Sequence, residues 1–83
     1  MTKVRIPPTL REQVGGKREL AAEGGTVREV LDDLTGRFPA LEQQLQFANV
    51  YVEGEDVRTL DGLDTEVRAG STVILLPAMA GGS

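Results

Sequence analysis

Few residues of this chain are equipped for chemistry. It has no cysteine and no histidine, which removes thiol nucleophiles, disulfides and the commonest general base and metal ligand. Adjacent acids stand at Asp32-Asp33 and Glu55-Asp56. Sequence neighbours on a helix do not face each other, so Asp32 and Asp33 form no acid–base couple, and both pairs read as solvated surface. The stretch EGEDV lacks the twelve-residue spacing of a calcium loop. No catalytic residue and no metal ligand is assigned. What remains is glycine. Gly15-Gly16 and Gly24-Gly25 read as turns. The third pair, Gly81-Gly82 in PAMAGGS, closes no hairpin, because only Ser83 follows it. It comes just after the apolar run TVILL and Pro77, which cannot donate a ladder hydrogen bond. Extended at ~3.3 Å per residue, Pro77 to Gly82 reaches on the order of 15–20 Å. Met79, Ala80, Gly81 and Gly82 make a slender lead that could enter a narrow tunnel in another protein, ending in the least hindered acyl group a chain can present. The plain alternative is a tail without function.

The remaining residues must hold that tail up. In KVRIP, Val4 and Ile6 point one way and Lys3 and Arg5 the other, the pattern of a half-buried strand. PPTLREQVGG interrupts it. Gly15 and Gly16 then turn the chain into a second short strand at KREL, giving an antiparallel hairpin. Thr26 and Glu29 have capping-box spacing. Behind them Val27, Val30, Leu31, Leu34 and Phe38 form one apolar stripe, with Asp32, Asp33 and Arg37 on the wet side. Pro39 ends this helix, and PALEQQL reads as one further turn with Leu41 and Leu45 inward. NVYVEGEDV is a strand and a turn, with Val50 and Val52 on one face and Tyr51 on the other. RTLDGLDTEVRAGS is irregular, anchored by Leu60, Leu63 and Val67. The last strand, STVILLP, is apolar on both faces, so it is central or carries an exposed apolar patch. One helix must cover one face of one sheet. A first and last strand linked through that helix run parallel side by side in the middle. The expected fold is α+β, a β-grasp: a mixed sheet of four or five strands with one main helix on one face. Residues 1–77 form the domain and 78–83 a flexible tail.

Bulk properties limit the partners. The net charge is −4 and the nine basic residues are scattered, which excludes a nucleic-acid footprint. An acidic surface can steer a protein toward a basic partner or simply keep it soluble. No apolar stretch approaches the ~20 residues that span a bilayer, and MTKVRIPPTL has no signal-peptide core. The expectation is a cytoplasmic protein with no membrane and no nucleic acid among its partners.

The ordered pieces KVRIPPTLREQVGG, TVREVLDDLTGRFPAL and VRAGSTVILLPAMAGG resemble the ubiquitin-like sulfur carrier proteins of bacteria, nearly end to end. The resemblance implies a carrier rather than an enzyme, with no cofactor bound. An ATP-using activating enzyme would adenylate the Gly82 carboxylate. Sulfur would replace AMP to leave a thiocarboxylate, and a sulfur-accepting synthase would take the sulfur. Leu76, with Ile74, Pro77 and Met79, would form the docking patch; plain core packing is the other reading of Ile74 and Leu76. Ser83 departs from the family's Gly-Gly ending. It fits a residue trimmed by a metalloprotease, an adduct-like residue, or a leftover of expression. The ending LPAMAGG is similar to the branch that makes cysteine or a sulfur-containing natural product. The molybdopterin synthase small subunit, and a ubiquitin-like modifier joined to proteins through Gly82, are the alternatives.

Overall fold

A computed structural model describes residues 1–46 and 48–77. The alternation in KVR sets strand β1 (Thr2–Arg5), whose Thr2 and Val4 are buried while Lys3 and Arg5 are not. β1 pairs antiparallel with β2 (Glu19–Ala22) and parallel with β5 (Thr72–Pro77). β5 pairs on its other side with β3 (Ala48–Val52), which carries the two-residue β4 (Glu55–Asp56). The order is therefore β2-β1-β5-β3-β4, with the doubly apolar strand at the centre. Glu53 (φ 52°) and Gly54 (φ 83°) both lie in the left-handed region. That is the requirement of a two-residue type I′ turn, whose twist matches the flanking strands.

Helix α1 (Val27–Arg37) covers one face, burying Val27, Val30 and Leu34, with Leu31 and Phe38 half-buried at its sides. Its cap differs from the reciprocal box. The Glu29 N–H donates to Thr26 Oγ1 at 3.3 Å, but Glu29 Oε1 accepts from the Gly25 N–H at 2.6 Å rather than from Thr26. The five-residue α2 (Leu41–Leu45) follows, with Leu41 fully buried and Leu45 partly so. Pro39 precedes it by two positions instead of opening it.

Two expectations are corrected. PPTLREQV is no mere interruption: Pro8–Val14 forms a 3-10 helix that buries Leu10 and Val14. Pro suits a helical first turn because its missing N–H has no partner there anyway. In the late loop, Val67 anchors as expected, but Leu60 and Leu63 are each 41% exposed. Val57, just before that segment, and Thr65 and Ser71 within it are buried as well.

Asp33 and Arg37 are more than wet-face charges. Asp33 accepts from the Glu23 N–H at 3.1 Å, and Arg37 donates to the Ala21 carbonyl at 2.6 Å and to Asp33 at 3.2 Å. The helix thereby ties down the edge of β2.

Gly24 makes this packing possible. Its φ is 155°, and a Cβ there would lie 2.7 Å from the Val30 nitrogen and 2.8 Å from the Glu29 Cβ. Backbone strain plus that clash should make Gly24→Ala cost about 2–4 kcal/mol. Urea unfolding checks this; a loss below about 0.5 kcal/mol would mean the loop relaxes freely.

Candidate functional site: the open sheet face at the root of the C-terminal segment

The face of the sheet away from α1 has no helix of the described residues upon it. Strand alternation decides what it shows. Val73 and Leu75 are fully buried under α1; Ile74 is half-exposed, and Leu76, the last leucine before Pro77, is 42% exposed. Ile74 stands in register between Arg5 of β1 and Tyr51 of β3, and Leu76 lies opposite Asn49. Plain core packing is thus excluded for Leu76, and Ile74 shares its face. Pro77 closes the strand opposite Ala48. Met79, Ala80, Gly81 and Gly82, together with Ser83, lie outside the described residues.

Beside Leu76 is a shallow depression of about 620 Å³, lined by Arg5, Ile6, Pro7, Pro8, Arg11, Arg18, Glu19, Ile74, Leu75 and Leu76. The three arginines come from β1, the 3-10 helix and the approach to β2. Sequence reading did not single them out. Alternation placed Arg5 on this face, but Arg11 and Arg18 arrive only through the 3-10 helix and the hairpin. Arg11 Nε donates to the Ile6 carbonyl at 3.2 Å, which fixes its stem. Glu19 is the single acid lining the depression and approaches Lys3 at 4.0 Å and Arg5 at 3.9 Å. Both contacts are exposed and long, so they add little to stability. An acidic chain therefore shows a locally basic surface beside the end of β5, the opposite of the overall charge.

The acid pairs do other work. Asp32 is exposed and Asp33 serves the β2 edge. Asp56 accepts from the Arg58 backbone N–H at 2.8 Å and from the Arg58 guanidinium at 2.7 Å. The Arg58 side-chain hydrogen bond holds the Asp56 carboxyl below its ordinary value, and the same pairing raises Arg58. This ends β4 and turns the chain into the next 3-10 turn. Among the described residues no three acids gather as a metal site, and no helix is long and apolar enough to cross a membrane.

A mixed five-stranded sheet grasping one main helix, with its central strand leading into a C-terminal segment from an open face, defines a ubiquitin-like β-grasp protein. The chain belongs to the ThiS family, whose model matches residues 4–82, and is a ubiquitin-like sulfur carrier. It is 37% identical over 89 residues to the sulfur carrier protein CysO of Mycobacterium tuberculosis, covering 95% of this chain and 96% of that one. A chain in the crystal structure of the Amycolatopsis orientalis BexX/CysO complex is 42% identical, with a TM-score of 0.90 over 99% of this chain and 100% of its own. The small archaeal modifier protein 1 of Methanosarcina acetivorans is 29% identical, with a TM-score of 0.88 over 98% of this chain and 95% of its own.

Proposed function

We propose that the chain carries sulfur as a thiocarboxylate on Gly82 for the synthesis of cysteine or of a sulfur-containing natural product. The observation that carries this reading is the family match running through Gly82, joined to a sheet that exposes Leu76 where the segment toward Gly82 begins. The chemistry balances. A Gly82 carboxylate oxygen attacks the α-phosphorus of ATP and pyrophosphate leaves. Sulfide then attacks the acyl adenylate, AMP leaves, and the carboxylate has exchanged oxygen for sulfur. Activation is needed because a carboxylate is unreactive toward sulfide. The carrier supplies no catalytic group and binds no cofactor of its own. ATP is bound by the activating enzyme, whose tunnel takes Met79 to Gly82. The acidic rim of that enzyme meets Arg5, Arg11 and Arg18, and Leu76, Ile74 and Pro77 fill its apolar centre. A sulfur-accepting synthase is the second partner, and a metalloprotease that removes Ser83 is the third. The site of action is the cytoplasm.

The test is intact mass. The chain ending at Gly82 is incubated with its activating enzyme, ATP and a sulfide source. A gain of about 16 Da, the arithmetic of one oxygen replaced by one sulfur on the activated acyl group, is expected. No gain with an enzyme shown to be active overturns the reading. The similarity to an archaeal modifier favours a second reading, attachment through Gly82 to lysines of target proteins. High-mass adducts of the tagged carrier in cells would identify that activity.

A further inference from the structure

The two edges of the sheet are treated differently. The β2 edge is closed by Arg37 on the Ala21 carbonyl and Asp33 on the Glu23 N–H. The β3 edge is closed over only part of its length. The Glu53 N–H donates to the Thr72 carbonyl, which sets the phase of the antiparallel ladder: odd-numbered residues of β3 bond to β5 and even-numbered ones turn outward. β4 pairs with Tyr51 and Val52 alone before Asp56 and Arg58 turn the chain into the 3-10 turn Val57–Thr59. The outward groups of Ala48 and the N–H of Val50 therefore meet no paired strand among the described residues.

Alongside this edge runs a groove of about 480 Å³ between α1, α2 and the 3-10 turns. Leu31, Leu45, Val57 and Leu63 line it with Ala48 and the buried Val50 of β3, and Leu63 is 41% exposed. Of the charged residues on the rim, Arg28 is paired with Asp64 and Arg58 with Asp56. Asp32 and Glu42 are on the rim without an ion-pair partner among the described residues.

We infer that the open half of the β3 edge docks an extended, Lys-flanked apolar segment of a partner protein by strand addition, separately from the Leu76 face. An unpaired edge demands an extended chain, since a helix has already used its backbone groups. Inward side chains of the added strand recur every second residue, about 6.6–6.8 Å apart, and drop into the groove. The carboxylates of Asp32 and Glu42 select positive flanks. The carrier can thereby be held by one protein while its tail is inside another. This inference does not rest on sulfur transfer.

The experiment is a ¹⁵N and methyl NMR titration of the whole chain with the acetylated, amidated peptide KTVTVTK. Two N-methylated versions, one at the two valines and one at the middle threonine, and the charge-swapped ETVTVTE serve as controls. The expected result is a Kd of about 1 mM or tighter, with shifts at the Ala48 and Val50 amides and the Leu31, Leu45 and Leu63 methyls. One N-methylated version should lose binding, and ETVTVTE should bind several-fold more weakly. The inference is overturned by no shift at millimolar peptide, by equal binding of both N-methylated peptides, by equal binding of ETVTVTE, or by shifts at Arg5, Ile74 and Leu76 instead. Concentration-dependent shifts at the same amides without peptide would assign the edge to a second copy of the chain and overturn it equally.

Discussion

A polypeptide ending at Gly82 should exchange ATP and pyrophosphate with its activating enzyme at least about a hundredfold faster than one ending at Ser83. Adenylation needs a free carboxylate. With Ser83 attached, the Gly82 carbonyl is an amide and the carboxylate lies one residue further on, displaced by roughly 3.5 Å. A misplacement of about 1 Å already costs on the order of a hundredfold in rate. The serine also brings a Cβ and a hydroxyl to a place fitted to hydrogen atoms. Gly82→Ala in the shorter polypeptide should lose most of the rate for the same reason. The measurement is exchange of labelled pyrophosphate with one enzyme and both polypeptides at equal concentration. Equal rates would mean that the enzyme does not read a glycine terminus. Gly81-Gly82 would then have no part in activation.

How much of this was legible depended on whether a feature is periodic. The α1 stripe and the alternation of β1 are local patterns, and each element formed where its period put it. The two-faced apolarity of TVILL left two readings, and both hold: β5 is central, and one of its faces is open. The failures were aperiodic. Pro7-Pro8 looked like a break, yet Pro8 starts a 3-10 helix whose Leu10 and Val14 join the core. Leu60 and Leu63 were assigned as anchors from hydrophobicity alone, but nothing in a loop sequence says which side chain turns inward. Their exposure follows from the 3-10 turns at Val57–Thr59 and Gly62–Asp64, which aim Val57 inward instead. The arginines around Leu76 come from three segments. Only the path of the 3-10 helix and the β1–β2 hairpin brings Arg5, Arg11 and Arg18 to one depression.

Two adjacent leucines offer the sharpest test of the face assignment. Leu75→Glu should unfold the domain, and Leu76→Glu should leave it folded while weakening binding to the activating enzyme by about a hundredfold or more. Leu75 has no exposed surface and packs in the core; Leu76 is 42% exposed beside Arg5, Arg11 and Arg18. A carboxylate forced into the position of Leu75 loses water without gaining a partner, at a cost of several kcal/mol. That is most of the ~5–15 kcal/mol that holds a domain together, and a domain of this size sits at the low end. At position 76 the same carboxylate stays in water near three guanidinium groups, so the melting temperature should move by less than about 3 °C. In a complex it would be buried against an apolar pocket and would cancel part of the basic charge that an acidic rim requires. Leu76→Ala separates the two effects, since it removes only the apolar contact. It should weaken binding about tenfold, the effect of roughly 1.4 kcal/mol, and leave the salt dependence of binding unchanged. Circular dichroism on heating and calorimetric titration against the activating enzyme read both quantities. Should Leu76→Glu unfold the chain while Leu75→Glu melts normally, the faces of β5 are inverted and the docking surface lies elsewhere.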